Sequence, residues 1–177
     1  MSWAAADAVA AHLRALTGGR LAAGLSAAGY LDPVVFRTFH RAGTELCSGY
    51  GMTEATGGIT MTPPGEYVDG SIGKPLPDIY QLIVDENRQP VPPGTPGELY
   101  VRRYPNMFEG YYKDAEKTAQ ALDKDGWFHT GDIGRMDEAG FVYIEDRKKD
   151  MILVSGFNVY PNEVEGALAR HPGVLEV

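Results

Sequence analysis

Three short motifs hold the side chains of this 177-residue chain that are best suited to bind a ligand or to take part in a reaction. The first, Tyr50-Gly51-Met52-Thr53-Glu54, combines an aromatic ring, a glycine, a hydroxyl and a carboxylate. An aromatic ring can stack on a nucleobase, and glycine lets backbone approach a ligand closely. The Thr53 hydroxyl can donate to a phosphate oxygen, and Glu54 offers the hard oxygen that Mg²⁺ prefers. By itself the motif is more often a strand end that runs into a capped helix.

The second and third motifs place charged groups beside a strand and a turn. The second, Gly126–Asp132, reads GWFHTGD, and the carboxylate of Asp132 can accept hydrogen bonds from two neighbouring hydroxyls. Its alternative role is that of a turn aspartate that caps local backbone. The third motif, Asp146–Asp150, contains Arg147, whose planar guanidinium suits ribose or phosphate oxygens. Its alternative is a solvated charged turn.

Composition excludes several classes of protein. The net charge of −8, without a basic stripe, argues against nucleic acid or anionic lipid as a general partner. The single cysteine, Cys47, excludes an intrachain disulfide, and we interpret it as a buried thiol in a reducing cytoplasm. No apolar stretch reaches the roughly 18 residues that span a bilayer, and the N-terminus lacks a signal-peptide pattern. We therefore expect a cytoplasmic protein whose membrane contact, if it has any, is peripheral.

Periodicity and turn residues predict the elements that position the motifs. Asp32 is predicted to be the N-cap of a helix, and Pro33 is predicted to be its first residue. Helices are predicted over residues 3–16, 33–41, 113–122 and 162–170. Strands are predicted over 21–25, 44–48, 80–84, 98–101, 127–133, 141–144 and 151–154. The alternation of short strands with Pro/Gly turns from about residue 70 to 145 is typical of a small distorted β-barrel or sandwich.

In their order and spacing, the three motifs resemble those of adenylate-forming enzymes, the superfamily of acyl-CoA synthetases, firefly-type luciferases and peptide-synthetase adenylation domains. Residues 146–165 are most similar to bacterial medium- and long-chain fatty-acyl-CoA ligases. The resemblance covers about residues 20–177, and the helix at 3–16 has no obvious counterpart. Two family elements have no match in this sequence: the Ser/Thr/Gly-rich phosphate loop and the catalytic lysine near the family's C-terminus. We therefore expect a fragment of the family's enzyme.

The resemblance implies a mixed α/β, or α+β, fragment in three parts. Residues 1–64 would be a partial α/β subdomain that carries the first motif. Residues 65–147 would form the distorted β-barrel subdomain at the end of the family's large N-terminal domain. Residues 148–177 would contain the hinge and the beginning of the small α+β C-terminal domain.

The resemblance also implies a role for each candidate residue. Thr53 and Glu54 would be catalytic, with Glu54 as the Mg²⁺ ligand, and Lys149 would be the hinge. A small-residue loop, Ser26–Leu31, would let adenine approach the backbone, although tight packing in an Ala/Gly-rich turn explains it nearly as well. His129 is interpreted as a structural neighbour and not as a base. The implied nucleotide-binding residues are Ala28, Gly29, Tyr50, Gly51, Met52, Thr53, Asp132, Ile144 and Arg147.

The activity implied is ATP-dependent conversion of a fatty acid to an acyl-adenylate, followed by transfer of the acyl group to CoA. ATP/AMP, Mg²⁺ and CoA are the expected cofactors, and the chain alone is expected to be inactive. One alternative is an aryl- or short-chain-acid CoA ligase. Another is a non-catalytic nucleotide-binding module, or a complementing half of a split protein. An incomplete sheet would expose apolar edges, so we expect self-association, which a monomeric mass by light scattering would contradict.

Overall fold

The computed structural model describes residues 3–27, 29, 31–154 and 157–174. The chain divides into two units, one of Met1–Asp78 with Asn106–Phe108 and the other of Ile79–Pro105 with Glu109–Val177. Helices and sheets occur in both units, which confirms the predicted mixed α/β class. Within the described residues, no helix is both long and apolar enough to cross a membrane.

The first unit is a four-stranded sheet with two helices. Its helices are α1 (Trp3–Leu16) and α2 (Pro33–Arg41), and its strands, in the order β1-β2-β3-β4, are β1 (Ala23–Ala27), β2 (Glu45–Met52), β3 (Gly57–Met61) and β4 (Lys74–Pro75). β1 and β2 are parallel, so the chain between them must cross over, and α2 makes that crossover. α2 begins where predicted, because the Asp32 carboxylate accepts a hydrogen bond of 2.6 Å from the N–H of Val34.

The second unit is built on a four-stranded antiparallel sheet. Its strands, in the order β5-β6-β7-β8, are β5 (Gln81–Val84), β6 (Gly97–Arg102), β7 (Trp127–Met136) and β8 (Val142–Arg147). Helix α3 (Ala115–Ala121) contacts β7. Leu99, Val101, Phe128 and Val142 are almost fully buried and form the centre of its core. Among the described residues β5 and β8 do not pair, so the predicted barrel-like region is an open sheet and not a closed barrel.

A smaller group of elements follows β8. It consists of the antiparallel hairpin of β9 (Ile152–Val154) and β10 (Phe157–Val159), followed by helix α4 (Pro161–Leu168). β9 and α4 were predicted from their apolar runs, whereas β10 was not. The reason is that three-residue strands carry too little periodic signal to be distinguished from a turn.

The segment after the first motif also differs from the sequence-based alternative of a capped helix. Thr53–Ala55 forms a single 3₁₀ turn. Thr56 follows it in the left-handed region, with φ of 56°, and Gly57 has φ of 129°. Neither conformation continues a right-handed helix, so the chain turns back at once into β3.

Candidate functional site

The first motif lies at the end of β2, where that strand meets β3. Tyr50 pairs with Thr60 and Gly51 with Gly58, and the register shifts between Tyr50 and Gly51. A Cβ atom at Gly51 would lie 2.0 Å from the carbonyl oxygen of Gly57, a distance that no side chain can occupy. The structure thus requires glycine at position 51 for the packing of β3, a reason that does not depend on any ligand.

The turn that carries Thr53 and Glu54 is held in place by a separate loop. The N–H of Phe108 donates to the backbone oxygen of Glu54 at 2.8 Å, and the Thr56 hydroxyl donates to the backbone oxygen of Asn106. Thr53 is exposed and Glu54 half-buried, so both side chains reach the surface of the unit. Two anchors from outside the motif therefore fix a turn that sequence analysis treated as local.

We tested whether the residues around Glu54 fit a Mg²⁺ ion. In the part of the chain that the structure describes, no three or more His, Cys, Asp or Glu side chains cluster as a metal site. A single accessible carboxylate fits the other common mode, in which Mg²⁺ takes one or two carboxylates and completes its shell with phosphate oxygens and waters. Glu54 therefore fits as a ligand that acts together with a phosphate group, and not as part of a protein cage.

The second and third motifs meet across neighbouring strands. Asp132 in β7 is the cross-strand partner of Arg147 in β8, and Arg147 Nε lies 2.9 Å from Asp132 Oδ1. The Asp132 side chain is only 4% exposed, whereas that of Arg147 is 60% exposed. The Thr130 hydroxyl supports the pair: it accepts from the N–H of Asp132 at 3.1 Å and donates to the carbonyl of Leu99 at 2.8 Å. A buried carboxylate is thus presented beside an accessible guanidinium.

Beside that pair lies a second ion pair that sequence analysis missed. Lys148 Nζ is 2.7 Å from Glu98 Oε2, and the Glu98 side chain is 9% exposed. The N–H of Lys148 also donates to the carbonyl of Gly131 at 2.8 Å, which ties the third motif to the second. The available signal was an acidic residue directly before the apolar run 99–101 of the strand Gly97–Arg102. A charge at such a position is unusual unless it is paired.

The positions of the remaining candidate residues do not by themselves indicate contact with a ligand. Ile144 is half-buried in β8, and its Cδ1 atom covers the space above Gly134, which favours a packing role. Lys149 is exposed in the turn that follows β8. Gly29 has open space where a Cβ atom would lie, and Ala28 lies outside the described residues. The first motif belongs to the first unit, and Asp132, Ile144, Arg147 and Lys149 belong to the second.

Comparison with known proteins identifies the family. The family profile described as AMP-binding enzyme matches residues 3–112. The chain belongs to the AMP-binding enzyme family. This confirms the resemblance found in the motifs and extends it, because the match begins at residue 3. Helix α1 is therefore within the family's match, and the expectation that residues 3–16 lack a counterpart was wrong.

Curated relatives of this AMP-binding family member include long-chain-fatty-acid–CoA ligases. It is 51% identical over 136 residues to the long-chain-fatty-acid–CoA ligase of Escherichia coli O6:H1, which covers 76% of this chain and 24% of the relative. It is 40% identical over 164 residues to human long-chain-fatty-acid–CoA ligase 1, covering 90% of this chain and 23% of that one. The chain thus spans about a quarter of the length of the relatives it matches.

Solved structures of similar proteins agree with the fold. ATP-bound MatB from Rhodopseudomonas palustris has a TM-score of 0.77 at 38% identity, over 86% of this chain and 30% of MatB. O-succinylbenzoate Coenzyme A synthetase (MenE) from Bacillus subtilis, in complex with ATP and magnesium, has a TM-score of 0.78 at 33% identity. That match covers 87% of this chain and 32% of MenE.

His129, next to the second motif of this AMP-binding family member, has structural partners. Its Nε2 atom lies 3.3 Å from Asp123 Oδ2, and its ring stacks on Tyr100 at 4.1 Å between centroids. The other Asp123 oxygen accepts from the N–H groups of Asp125 and Trp127 at 3.0 and 2.8 Å. Both ring and carboxylate are largely buried in this arrangement. It supports the interpretation of His129 as a structural residue.

The lowered pKa of Asp123 makes the stability of the second unit depend on pH in a predictable direction. Burial acts to raise the pKa of Asp123, but the hydrogen bonds from Trp127, His129 and Asp125 outweigh it, so the pKa lies below its ordinary value of 3.8. A carboxylate with a lowered folded-state pKa stabilises the fold above its unfolded-state pKa, and this stabilisation is lost as the pH falls through the folded-state value. We expect Asp123→Asn to lower the free energy of unfolding at neutral pH by roughly 1 kcal/mol.

Urea unfolding of the native chain and Asp123→Asn at a series of pH values measures this effect. The difference between the two should shrink as the pH falls through the lowered pKa, because the native carboxylate then becomes protonated. Asp125→Asn is the control, since that side chain is exposed. A difference that stays constant into the acid range would contradict the assignment.

Proposed function

We propose that this chain forms part of the nucleotide pocket of an ATP-dependent acid–thiol ligase. The complete protein would activate a fatty acid as an acyl-adenylate and transfer the acyl group to CoA. Relatives named as long-chain-fatty-acid–CoA ligases support the fatty acid, and the ATP-bound neighbours support the nucleotide. Because the chain spans about a quarter of those relatives, the whole reaction is proposed only for the complete protein.

The observation that carries the proposal is the Asp132–Arg147 pair. Asp132 is buried and fixed, so its carboxylate loses little conformational entropy when it accepts hydrogen bonds from a ligand. Vicinal ribose hydroxyls match two acceptor oxygens on one carboxylate. Arg147 stands beside it with an accessible guanidinium, which suits a ribose or phosphate oxygen of the same ligand.

The first motif would supply the groups for the base and the phosphates. In this proposal Tyr50 stacks on adenine, while Gly51, Met52 and the small-residue loop of Ala28 and Gly29 shape the backbone around it. Ile144, which packs over Gly134 in the second unit, keeps only the assignment that the family resemblance implies, an apolar contact to adenine. The Thr53 hydroxyl donates to a phosphate oxygen, and Glu54 holds Mg²⁺ together with the phosphates. When bound, the ion neutralises phosphate charge.

The proposed reaction has two steps. A fatty-acid carboxylate oxygen attacks the α-phosphorus of ATP, the bond to the bridging oxygen breaks, and pyrophosphate leaves. The CoA sulfur then attacks the acyl carbon, a thioester forms, AMP leaves, and the thiol proton is released. For the first step, positioning and stabilisation of phosphate charge are the main contributions that a protein can make. Thr53 and Arg147 are the residues of this chain that we assign to it.

The remaining expectations stay proposals. We propose that Lys149 lies at a hinge, since it occupies an exposed turn between β8 and the β9–β10 hairpin. Of the proposed division into residues 1–64, 65–147 and 148–177, the second boundary rests on that assignment. A cytoplasmic location agrees with the single free cysteine, Cys47. Self-association of the chain also stays a prediction.

Calorimetric titration with AMP, and with a non-hydrolysable fatty-acyl-adenylate analogue, tests the proposal. We expect saturable binding of both ligands and tighter binding of the acyl analogue, because it adds apolar surface to the contact. A short-chain and an aryl analogue, titrated in parallel, distinguish the fatty-acid assignment from other acids. If a folded chain shows no saturable binding of any of these ligands, with titrations at two temperatures to avoid a binding enthalpy of zero, the nucleotide pocket is contradicted.

A further inference from the structure

The segment after β8 is attached to the second unit through α4. Within the described residues, β9 and β10 pair with each other and with no other strand, whereas α4 contacts β8. Two hydrogen bonds join the beginning of α4 to β8. The N–H of Asn162 donates to Asp146 Oδ2 at 3.2 Å, and Asn162 Nδ2 donates to the carbonyl of Glu145 at 3.4 Å. Asn162 therefore receives its support from β8.

Asp146 has an unusual position for a carboxylate in a charged motif. It is 3% exposed, although the neighbouring Arg147 and Lys148 are exposed. Its Oδ1 atom accepts from the N–H of Arg147 at 2.7 Å, and its Oδ2 atom accepts from the N–H of Asn162. A buried carboxylate is stable only when its oxygens are satisfied, and here backbone N–H groups from two different elements satisfy them.

Asp146 also performs the capping that α4 lacks locally. Tyr160 is the N-cap residue of α4, and its side chain makes no capping hydrogen bond. The N–H groups of the first helical turn have no partner within a helix, and a negative charge is favourable at that end. Asp146, on β8, therefore takes the place of an N-cap side chain. A helix capped from another element loses its cap whenever it leaves that element.

The same carboxylate is connected to the candidate nucleotide site. Arg147, whose N–H is held by Asp146 Oδ1, is the residue whose Nε lies beside Asp132 Oδ1. Asp146 thus bonds on one side to the backbone of the site arginine and on the other to the first turn of α4. Movement of α4 away from β8 would remove one of the two bonds that fix this carboxylate, and with it part of the support of Arg147.

We propose that Asp146 is a positioning residue. It couples the packing of α4 against β8, which we call the seated position of α4, to the placement of Arg147 beside Asp132. The inference rests on the proposed function, because it takes the Asp132–Arg147 pair as part of a nucleotide site. It predicts that a nucleotide bound at that pair favours the seated position of α4. By thermodynamic reciprocity, an α4 held in its seat favours nucleotide binding by the same factor.

Residue-resolved hydrogen exchange of the native chain and Asp146→Ala tests the bonds first, without nucleotide. We expect exchange of the Asn162 and Arg147 amides to become at least about tenfold faster in Asp146→Ala, since both lose a charged acceptor. The amides of Val101 and Phe128 in the sheet should not change. Asp150→Ala is the matched control, because that carboxylate is exposed and has no bond in the described chain. Equal exchange in both variants would overturn the inference.

Asp146→Asn provides a second test in case Asp146→Ala fails to fold. Its amide group has the same shape and can accept one of the two N–H groups but not both, so the faster exchange should be confined to one amide. If the sheet amides lose protection together with Asn162, Asp146 is only a residue of general stability, and the inference is overturned.

Addition of AMP distinguishes a positioning role of Asp146 in the nucleotide site from a purely structural role. In the native chain we expect AMP to slow exchange of the Asn162 amide several-fold, and in Asp146→Ala we expect no such effect. AMP that binds without changing Asn162 exchange in the native chain would overturn the coupling. If calorimetry detects no AMP binding to the native chain, the proposed function fails, and the coupling fails with it. The nucleotide-free experiment still decides whether Asp146 seats α4.

Discussion

Asp132→Ala is expected to bind AMP and the fatty-acyl-adenylate analogue at least about tenfold more weakly than the native chain. A hydrogen bond to a charged group contributes roughly 1.5–3 kcal/mol, which corresponds to about tenfold to a hundredfold in affinity for each bond lost. Asp132 is buried and fixed beside Arg147, so no neighbouring carboxylate can move into its place without rearrangement of β7. Calorimetric titration of both chains at the same ionic strength measures the change.

Two comparisons make that result specific. Asp125→Ala removes an exposed carboxylate from the loop before β7, and should leave the affinity unchanged. Asp132→Asn retains one acceptor oxygen and should lie between the native chain and Asp132→Ala. Arg147 is 60% exposed, so loss of its partner should cost little stability, and urea midpoints check this. Native affinity in a folded Asp132→Ala would remove Asp132 from the nucleotide site.

Phe128→Ala is expected to cause the largest loss of stability in the second unit, about 3–5 kcal/mol. Phe128 is only 2% exposed and lies opposite Val101 in the β6–β7 pairing. Truncation removes its apolar surface from the core and leaves a cavity that the surrounding strands cannot fill. Single domains are stable by only about 5–15 kcal/mol, so the variant should be close to unfolding at room temperature.

Urea unfolding, followed by the fluorescence of the adjacent Trp127, measures this change. Tyr112→Ala is the control, because that aromatic side chain is 87% exposed and its loss should change stability by less than about 0.5 kcal/mol. Similar midpoints for Phe128→Ala and Tyr112→Ala would show that the core of the sheet is not where the structure places it.

Local signals accounted for most of the elements. Asp32 followed by Pro33 predicted the beginning of α2, and the structure has that helix at Pro33–Arg41 with the Asp32 cap in place. β7 was predicted from residue 127, where it begins, but it continues to Met136. Strand ends depend on the neighbouring strand, and β8 pairs with β7 as far as Met136. Such an extension has no counterpart in the sequence of β7 itself.

The motifs determined the family before any coordinates, because adenylate-forming enzymes use the same residue types at the same spacing. They did not reveal why single positions have their residues. Gly51 was interpreted as room for a nucleotide, whereas the structure shows that the carbonyl of Gly57 occupies the space of its missing Cβ. That contact depends on the shift in register between β2 and β3, which involves residues on two strands at once.

The sequence by itself determined the family, the mixed α/β class and the helix with its cap, since each of these depends on residues that are close in the chain. Only the tertiary structure decided that Asp132 pairs with Arg147, that Glu98 pairs with Lys148, and that Asp146 caps α4. Those contacts arise from strand register and from the seating of a helix, and the free energy that selects them is spread over the packed core. No single motif contains that information.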